Sequence, residues 1–416
     1  MQQIHVLMKR LYTFSLFILS ITIAKADYWT QKADLPGHKR VLPISFGIGN
    51  TGYIGWGTDT SNMSVKDFWA YNANTNSWTQ KATFQGAARS GAACFVNTVS
   101  GKAYAGLGQN TLGTLYQDWW EYNTATNSWS VKANFPGGPR GSATAFFTGQ
   151  YGYVGLGTNA VGDQNDLYLY EPVSNSWQAK PPLPSSYGRR EVASFVIGNM
   201  GYVATGYSTS QGSSLLDLYE FDSSNDTWNQ KCSFFGDARF GASAFTVYNH
   251  GYVGLGKTVN NTYETDFWVY DPYTDSWYQK ADFGGSGRFE GGAFAINDSG
   301  YFCSGGSPNF FYRDLWKYTP DTATVGVNEF TNNVQCSIYP NPVKDYCELR
   351  IENFGLTSKI EIAITDVKGE KILTQTAILD PQSAIIKIPV ATLKTGIYFV
   401  SADNGKQKLT RKFLKE

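Results

Sequence analysis

The stretch "GYVGLG" occupies residues 152–157 and returns, letter for letter, at 251–256. Glycines this dense invite a phosphate-loop reading, but the order is wrong for one. A dinucleotide fingerprint needs G-x-G-x-x-G opening a helix, and a phosphate loop needs Lys-Ser or Lys-Thr after its last glycine. Thr158-Asn159 follows one copy and Lys257-Thr258 the other, and no 3.6-residue apolar period follows either. Related strings stand at 52–57 (GYIGWG), 103–108 (AYAGLG), 201–206 (GYVATG) and 300–306 (GYFCSGG). The motif is therefore one part of a repeat, not a nucleotide site.

Other residues keep the same step of roughly 50 residues. Tryptophan recurs at Trp29, Trp78, Trp129, Trp177, Trp228 and Trp277, and arginine at Arg40, Arg89, Arg140, Arg190, Arg239 and Arg288. Each glycine string is followed by an Asp-x-aromatic-x-aromatic run such as DFWAY, DWWEY or DLWKY. Every unit thus holds four short β-type stretches separated by turn residues, the pattern of a four-stranded propeller blade. Small residues of the first stretch suit the crowded axis, the glycine motif forms the second strand, and aromatics fill the widening wedge outside it. The chain opens with a lone outer strand around Trp29, while the last unit stops after DLWKYTP without one. The expectation is an all-β, six-bladed propeller over 27–320, with the N-terminal strand completing the last blade and hiding its edge. These features resemble the kelch-repeat propellers, the class that includes galactose oxidase, although the family's Gly-Gly pair is present only as Gly305-Gly306.

The two ends read differently. Lys9-Arg10, an apolar run at 11–23 and Ala24-Lys25-Ala26 form a signal-peptide pattern, so residues 1–26 are expected to be removed. Their loss takes three basic residues and no acidic one from a chain with 34 of each, leaving a net charge of about −3. Nucleic acid is excluded as a natural partner on that balance, and no stretch of the mature chain has the length of a membrane helix. After Pro320 the text becomes a polar linker, 321–333, and then a tryptophan-free β-sandwich pattern over 334–416. Tyr339-Pro340-Asn341-Pro342, Asp366-Val367-Lys368-Gly369 and Gly396-Ile397-Tyr398 make this module resemble the type A C-terminal sorting domain of the type IX secretion system. That resemblance implies handling by the type IX machinery and a protein that is secreted or held at the outer surface. Cys336 and Cys347 flank a Pro-rich turn and are candidates for a hairpin disulfide, while Cys94, Cys232 and Cys303 suit buried thiols.

Chemistry is sparse. The mature chain has only His38 and His250, placed by register on opposite faces, and no Cys-x-x-Cys, so neither a metal site nor any cofactor is expected. The six arginines precede the first strands and are expected to ring one mouth of the channel. One reading is a carboxylate site, as the resemblance to kelch proteins implies; the other pairs each arginine with the Asp that opens every third strand. Recurrence in all six units favours the pairing. Tyr116, Tyr207, Tyr263, Phe310, Phe311 and Tyr312 lie in the variable loops on that face, among hydroxyl and amide side chains suited to sugars. Glu191 and Glu290 interrupt the small-residue pattern near the axis and are candidate acid–base groups, or neutralise the arginines. The leading expectation is a monomeric, non-catalytic binding or adhesion module for glycans or surface proteins. The alternative is an enzyme acting on acidic sugars, a mutarotase or lyase.

Overall fold

The computed structural model describes residues 27–321 and, beyond them, 335–339, 343–352, 359–366, 370–378, 385–403 and 408–416. The proposed leader, nearly all of the linker, the Pro340-Asn341-Pro342 part of the sorting motif and Gly369 lie outside the described residues. Every described regular element is a β-strand.

Residues 28–319 form six four-stranded antiparallel sheets, as propeller blades do. In the first, Ile44–Ile48, Thr51–Gly55, Phe68–Asn72 and Ser77–Gln80 follow one another as neighbours. The same order recurs at 93–132, 144–180, 193–231 and 243–280. The sixth sheet takes Gly292–Ile296, Ser299–Cys303 and Leu315–Thr319 from one end of the repeat region and Tyr28–Lys32 from the other, with Trp29 opposite Tyr318. First strands of successive sheets lie side by side, and that of the sixth lies against that of the first.

The glycine motif explains how the sheets approach one another. A Cβ on Gly52, Gly152, Gly201, Gly251 or Gly300 would strike the ring of Phe294, Phe95, Phe146, Phe195 or Phe245, each on the first strand of the preceding sheet. The motif then ends in two residues with positive φ, for example Leu156 at 56° and Gly157 at 80°, which swing the chain out of the sheet. The amide of that final glycine donates to the carbonyl of the next sheet's arginine segment: Gly57 to Arg89, Gly108 to Arg140, Gly157 to Arg189, Gly206 to Arg239, Gly256 to Arg288 and Gly305 to Arg40.

At the periphery a second joint repeats. In five sheets the outer tryptophan Nε1 donates to a carbonyl of the preceding sheet (Trp78 to Ala33, Trp129 to Ala82, Trp177 to Ala133, Trp228 to Pro181, Trp277 to Cys232). In the sixth, Trp29 donates to Ala281. The turn residue two places before the tryptophan usually completes the joint. Asn127 accepts from both Ala82 N and Tyr122 Oη, and Asp275 from Cys232 N and Tyr270 Oη. Asp27 does the same for Ala281 N and Tyr318 Oη.

The C-terminal module packs a three-stranded sheet (Gln335–Tyr339, Tyr346–Glu352, Ile385–Pro389) on a four-stranded one (Lys359–Thr365, Lys371–Ile378, Gly396–Asp403, Lys408–Lys415). Leu349, Ile360, Ile362, Ile388, Val400 and Phe413 form its core. Tyr398 stacks on Phe413 and donates to Lys394 O, Gly396 opens its strand, and Asp366 accepts from Glu370 N. The hairpin disulfide does not form: Cys347 is a buried free thiol, and strand register sets Cys336 opposite Ile351 and Tyr339 opposite Glu348. The spacing of the two cysteines along the hairpin puts them at different rungs of the ladder, out of bonding reach.

Candidate functional site

The repeating arginine is a structural bolt. Arg40, Arg89, Arg140, Arg239 and Arg288 are wholly buried, and each grips the Asp opening its sheet's third strand, Asp67, Asp118, Asp166, Asp266 and Asp314. Arg40 is typical, with Nη1 2.8 Å from Asp67 Oδ1, Nη2 2.6 Å from Oδ2, and Nη1 also donating to Trp56 O of the glycine motif. Burial alone would raise the Asp67 carboxyl; the hydrogen bonds and charge of Arg40, with Trp69 Nε1, outweigh it and hold the group below the usual range. Tyr116 lies 4.0 Å over the Arg89 guanidinium and Tyr312 3.5 Å over that of Arg288, so these two aromatics roof the bolts. Five of the six arginines proposed for a ligand are thus occupied by the fold.

In the fourth sheet the bolt is Arg189, with Asp217 at 2.6 and 2.7 Å, and not Arg190 as the spacing suggested. Two adjacent arginines make the register ambiguous by one residue, and only packing separates them. Arg190 is consequently released into the next position of the repeat. There the six residues are Val41, Ser90, Gly141, Arg190, Phe240 and Phe289, paired across with Thr58, Gln109, Thr158, Tyr207, Lys257 and Gly306. One half of the mouth is small and neutral; the half made by sheets four to six is cationic and aromatic.

The following position departs in the same half. Leu42, Gly91, Ser142, Glu191, Gly241 and Glu290 are linked head to tail by backbone hydrogen bonds: Gly91 N to Leu42 O, Ser142 N to Gly91 O, and so on until Leu42 N returns to Glu290 O. All six have φ between 51° and 61°, where glycine is at ease and glutamate is strained. Leu42, Ser142, Glu191 and Glu290 all carry a side chain in that region, at about 1–3 kcal/mol each, so the conformation belongs to the repeat and the two carboxyls are what sets this half apart. These carboxyls face one another across Gly241. Glu290 is pushed well above the ordinary range by burial, then by the charge of Glu191 and the hydrogen bond it donates to Glu191. Glu191 is raised chiefly by burial, against the pull of Arg190.

A cavity of about 320 Å³ opens beside this pair, lined by Arg190, Glu191, Tyr207, Phe240, Lys257 and Val259 among others. Arg190 Nη1 reaches Asp163 Oδ1 at 2.7 Å and Thr209 Oγ1 at 2.6 Å, and its guanidinium lies 4.8 Å over the Tyr207 ring. Asp163 also accepts from Thr209 N at 2.7 Å, so a hairpin of the third sheet fixes the arginine of the fourth. Lys257 Nζ stands 5.5–5.8 Å from the ring centres of Phe240, Tyr263 and Phe289, with no carboxylate oxygen within 4.0 Å among the described residues. Tyr207, Phe240, Phe289 and Tyr263 meet edge to face in one belt. Of the residues named from sequence, the structure brings together Arg190, Glu191, Glu290, Tyr207 and Tyr263. Lys257, Phe240, Phe289 and Asp163 were missed; aligning the units on the buried arginine would have exposed the first three. His38 and His250 lie beside Asp59 and Asp271 and share nothing, and no group of metal-ligating side chains occurs among the described residues.

Residues 337–416 match the family described as "Secretion system C-terminal sorting domain". The chain is also 36% identical over 110 residues to the N-acetylneuraminate epimerases of Escherichia coli (strain K12) and Shigella sonnei (strain Ss046). An N-acetylneuraminate epimerase 2 of Escherichia coli O6:H1 matches equally. The match takes in 25% of this chain and spans 28% of the length of those relatives. The C-terminal module is therefore a type IX sorting domain, which marks the protein for secretion or cell-surface attachment, and a quarter of the chain is homologous to N-acetylneuraminate epimerases.

Proposed function

We propose that the six sheets are the blades of a closed kelch-type propeller, exported after loss of residues 1–26, and that its mouth binds an acidic carbohydrate on sheets four to six. The two head-to-tail hydrogen-bond circuits and the pairing of Tyr28–Lys32 with Leu315–Thr319 support the closed form. The binding reading rests on Lys257. Its ammonium is steadied on three aromatic faces, opens on the cavity and has no carboxylate partner at ion-pair distance, while Arg190 is already balanced by Asp163. A ligand carboxylate supplies the missing charge, and the aromatic belt offers faces for the apolar side of a sugar ring. The relatives named for N-acetylneuraminate, itself a sugar carboxylate, point to the same ligand class. Calorimetric titration with N-acetylneuraminate, glucuronate and a neutral hexose tests this. Binding of the two acids alone, weakened at least tenfold in Lys257→Ala, is the expected result. Equal binding of the neutral sugar, or an unaffected Lys257→Ala, defeats it.

A second reading is favoured by one observation, the Glu191–Glu290 pair. Glu290, which holds its proton more firmly than an ordinary carboxyl, beside Glu191, raised in the same direction, sets a proton donor next to an acceptor, an arrangement suited to opening and closing a sugar ring. Exchange of sugar anomers, followed by NMR, decides it: acceleration that Glu191→Gln and Glu290→Gln both abolish makes the protein an enzyme, and no acceleration leaves it a binder.

A further inference from the structure

The hairpins linking second and third strands stand on the same face as the pocket, because their bases pair with the arginine segments around the mouth. Tight turns favour Gly, Asn, Asp and Ser, and these hairpins contain them. Yet five of the six also hold an apolar side chain out in solvent at or beside the turn: Met63 at 59% exposure, Leu112 at 89%, Val161 at 88%, Val259 at 46% and Phe310 at 63%. Single exposed apolar residues are ordinary on a protein surface. One in each of five equivalent hairpins, all on the face that holds the pocket, is not scattered.

We propose that this face docks on a lipid bilayer whose outer leaflet carries acidic-sugar headgroups, with the headgroup in the Arg190–Lys257 pocket and the five tips in the interface around it. The proposal rests on the acidic-sugar reading of that pocket. Three features select a bilayer over a protein. A protein interface needs a contiguous, densely packed apolar centre, whereas these side chains are separated by polar turns and surround a charged cavity. A fluid plane accepts separate side chains at similar depth, each gaining by its own apolar area. Val259 belongs at once to the pocket lining and to the ring of tips, so headgroup and interface are met together. The sorting domain marks the protein for secretion or surface attachment, so this face is free to meet a bilayer from outside.

The test is flotation of the full mature chain with phosphatidylcholine vesicles holding one-tenth of a sialylated glycosphingolipid, against vesicles of phosphatidylcholine alone and with phosphatidylserine instead. Binding to the glycolipid vesicles only is expected, at least tenfold tighter than the free headgroup sugar measured by calorimetry. The doubly substituted Leu112→Asp/Val161→Asp protein is expected to bind free sugar unchanged, keep its unfolding midpoint and lose vesicle binding at least tenfold; Leu112→Trp/Val161→Trp is expected to strengthen it. Equal binding to phosphatidylserine vesicles, or vesicle affinity no better than that for free sugar, or tip variants that float like the wild type, overturns the membrane proposal alone. Failure to bind any free acidic sugar overturns the pocket reading beneath it.

Discussion

Arg189 and Arg190 are chain neighbours with opposite roles. Arg189 is fully buried against Asp217, whereas the Arg190 side chain keeps 26% of its exposure at the pocket. Removing one partner of a buried ion pair leaves the other charge stranded and typically costs about 3–5 kcal/mol. Asp266→Ala, which strands Arg239, is expected to lower stability by that amount in denaturant unfolding, while Arg190→Ala, which leaves Asp163 its hydrogen bond from Thr209 N, lowers the midpoint less and weakens ligand binding. The two kinds of carboxyl also titrate oppositely. Asp67 and Asp118 are held below their ordinary 3.8, so their stabilisation is complete above that value and is lost as pH falls through the lowered range. Glu290 is raised, so its contribution is complete below the ordinary 4.5 and lost as pH rises through the raised range. Glu290→Gln removes that ionisation. Its unfolding midpoint relative to wild type is expected to rise from pH 4 to pH 8; a difference independent of pH contradicts the assignment.

Between elements, the peripheral joints decide which seams hold. Trp29 packs against Phe267, Phe283 and Tyr318 and donates to Ala281 O, 252 residues away. Replacing a packed tryptophan by alanine costs about 3–5 kcal/mol. Trp29→Ala is expected to destabilise at least as much as Trp228→Ala, although on the proposed loss of residues 1–26 it lies next to the terminus, where change is usually tolerated. A silent Trp29→Ala against a severe Trp228→Ala contradicts closure through the first strand. The seam between third and fourth sheets is built differently. Pro181 has no amide to donate and Phe221 no hydroxyl, and Lys180 Nζ instead meets Asp226 at 2.7 Å. Together with Arg190–Asp163 this seam depends on ion pairs, which salt screens more than it does hydrogen-bonded joints.

For the whole molecule, two modules divide the work. The sandwich carries the sorting signal and the sheets ahead of it carry the pocket. A chain lacking 334–416 is expected to fold its six sheets and remain in the periplasm, as judged by fractionation and the same unfolding midpoint. Normal release of the truncated chain contradicts the sorting role. No described helix is long and apolar enough to cross a membrane.

The repeat, the four strands of each unit, the pairing of the chain's first strand with the last unit and the sorting module were all legible in the sequence. Each depends on local period, turn chemistry or recurrence at a fixed step, and these survive without knowledge of contacts. Even the preference for an Arg–Asp ladder followed from recurrence alone. Tertiary structure decided the rest. Whether Arg189 or Arg190 enters the core depends on which one meets Asp217, and two identical neighbours give the sequence no means of choosing. Cys336 pairs with Ile351, four residues along the strand from Cys347, an offset that only strand register sets. Glu191 and Glu290 stand about a hundred residues apart in the chain and face each other across Gly241, while Lys257 draws its aromatic faces from two sheets. Repetition specifies what the units share; the site consists of the departures from it, and these become neighbours only when the first strands of successive sheets pack side by side.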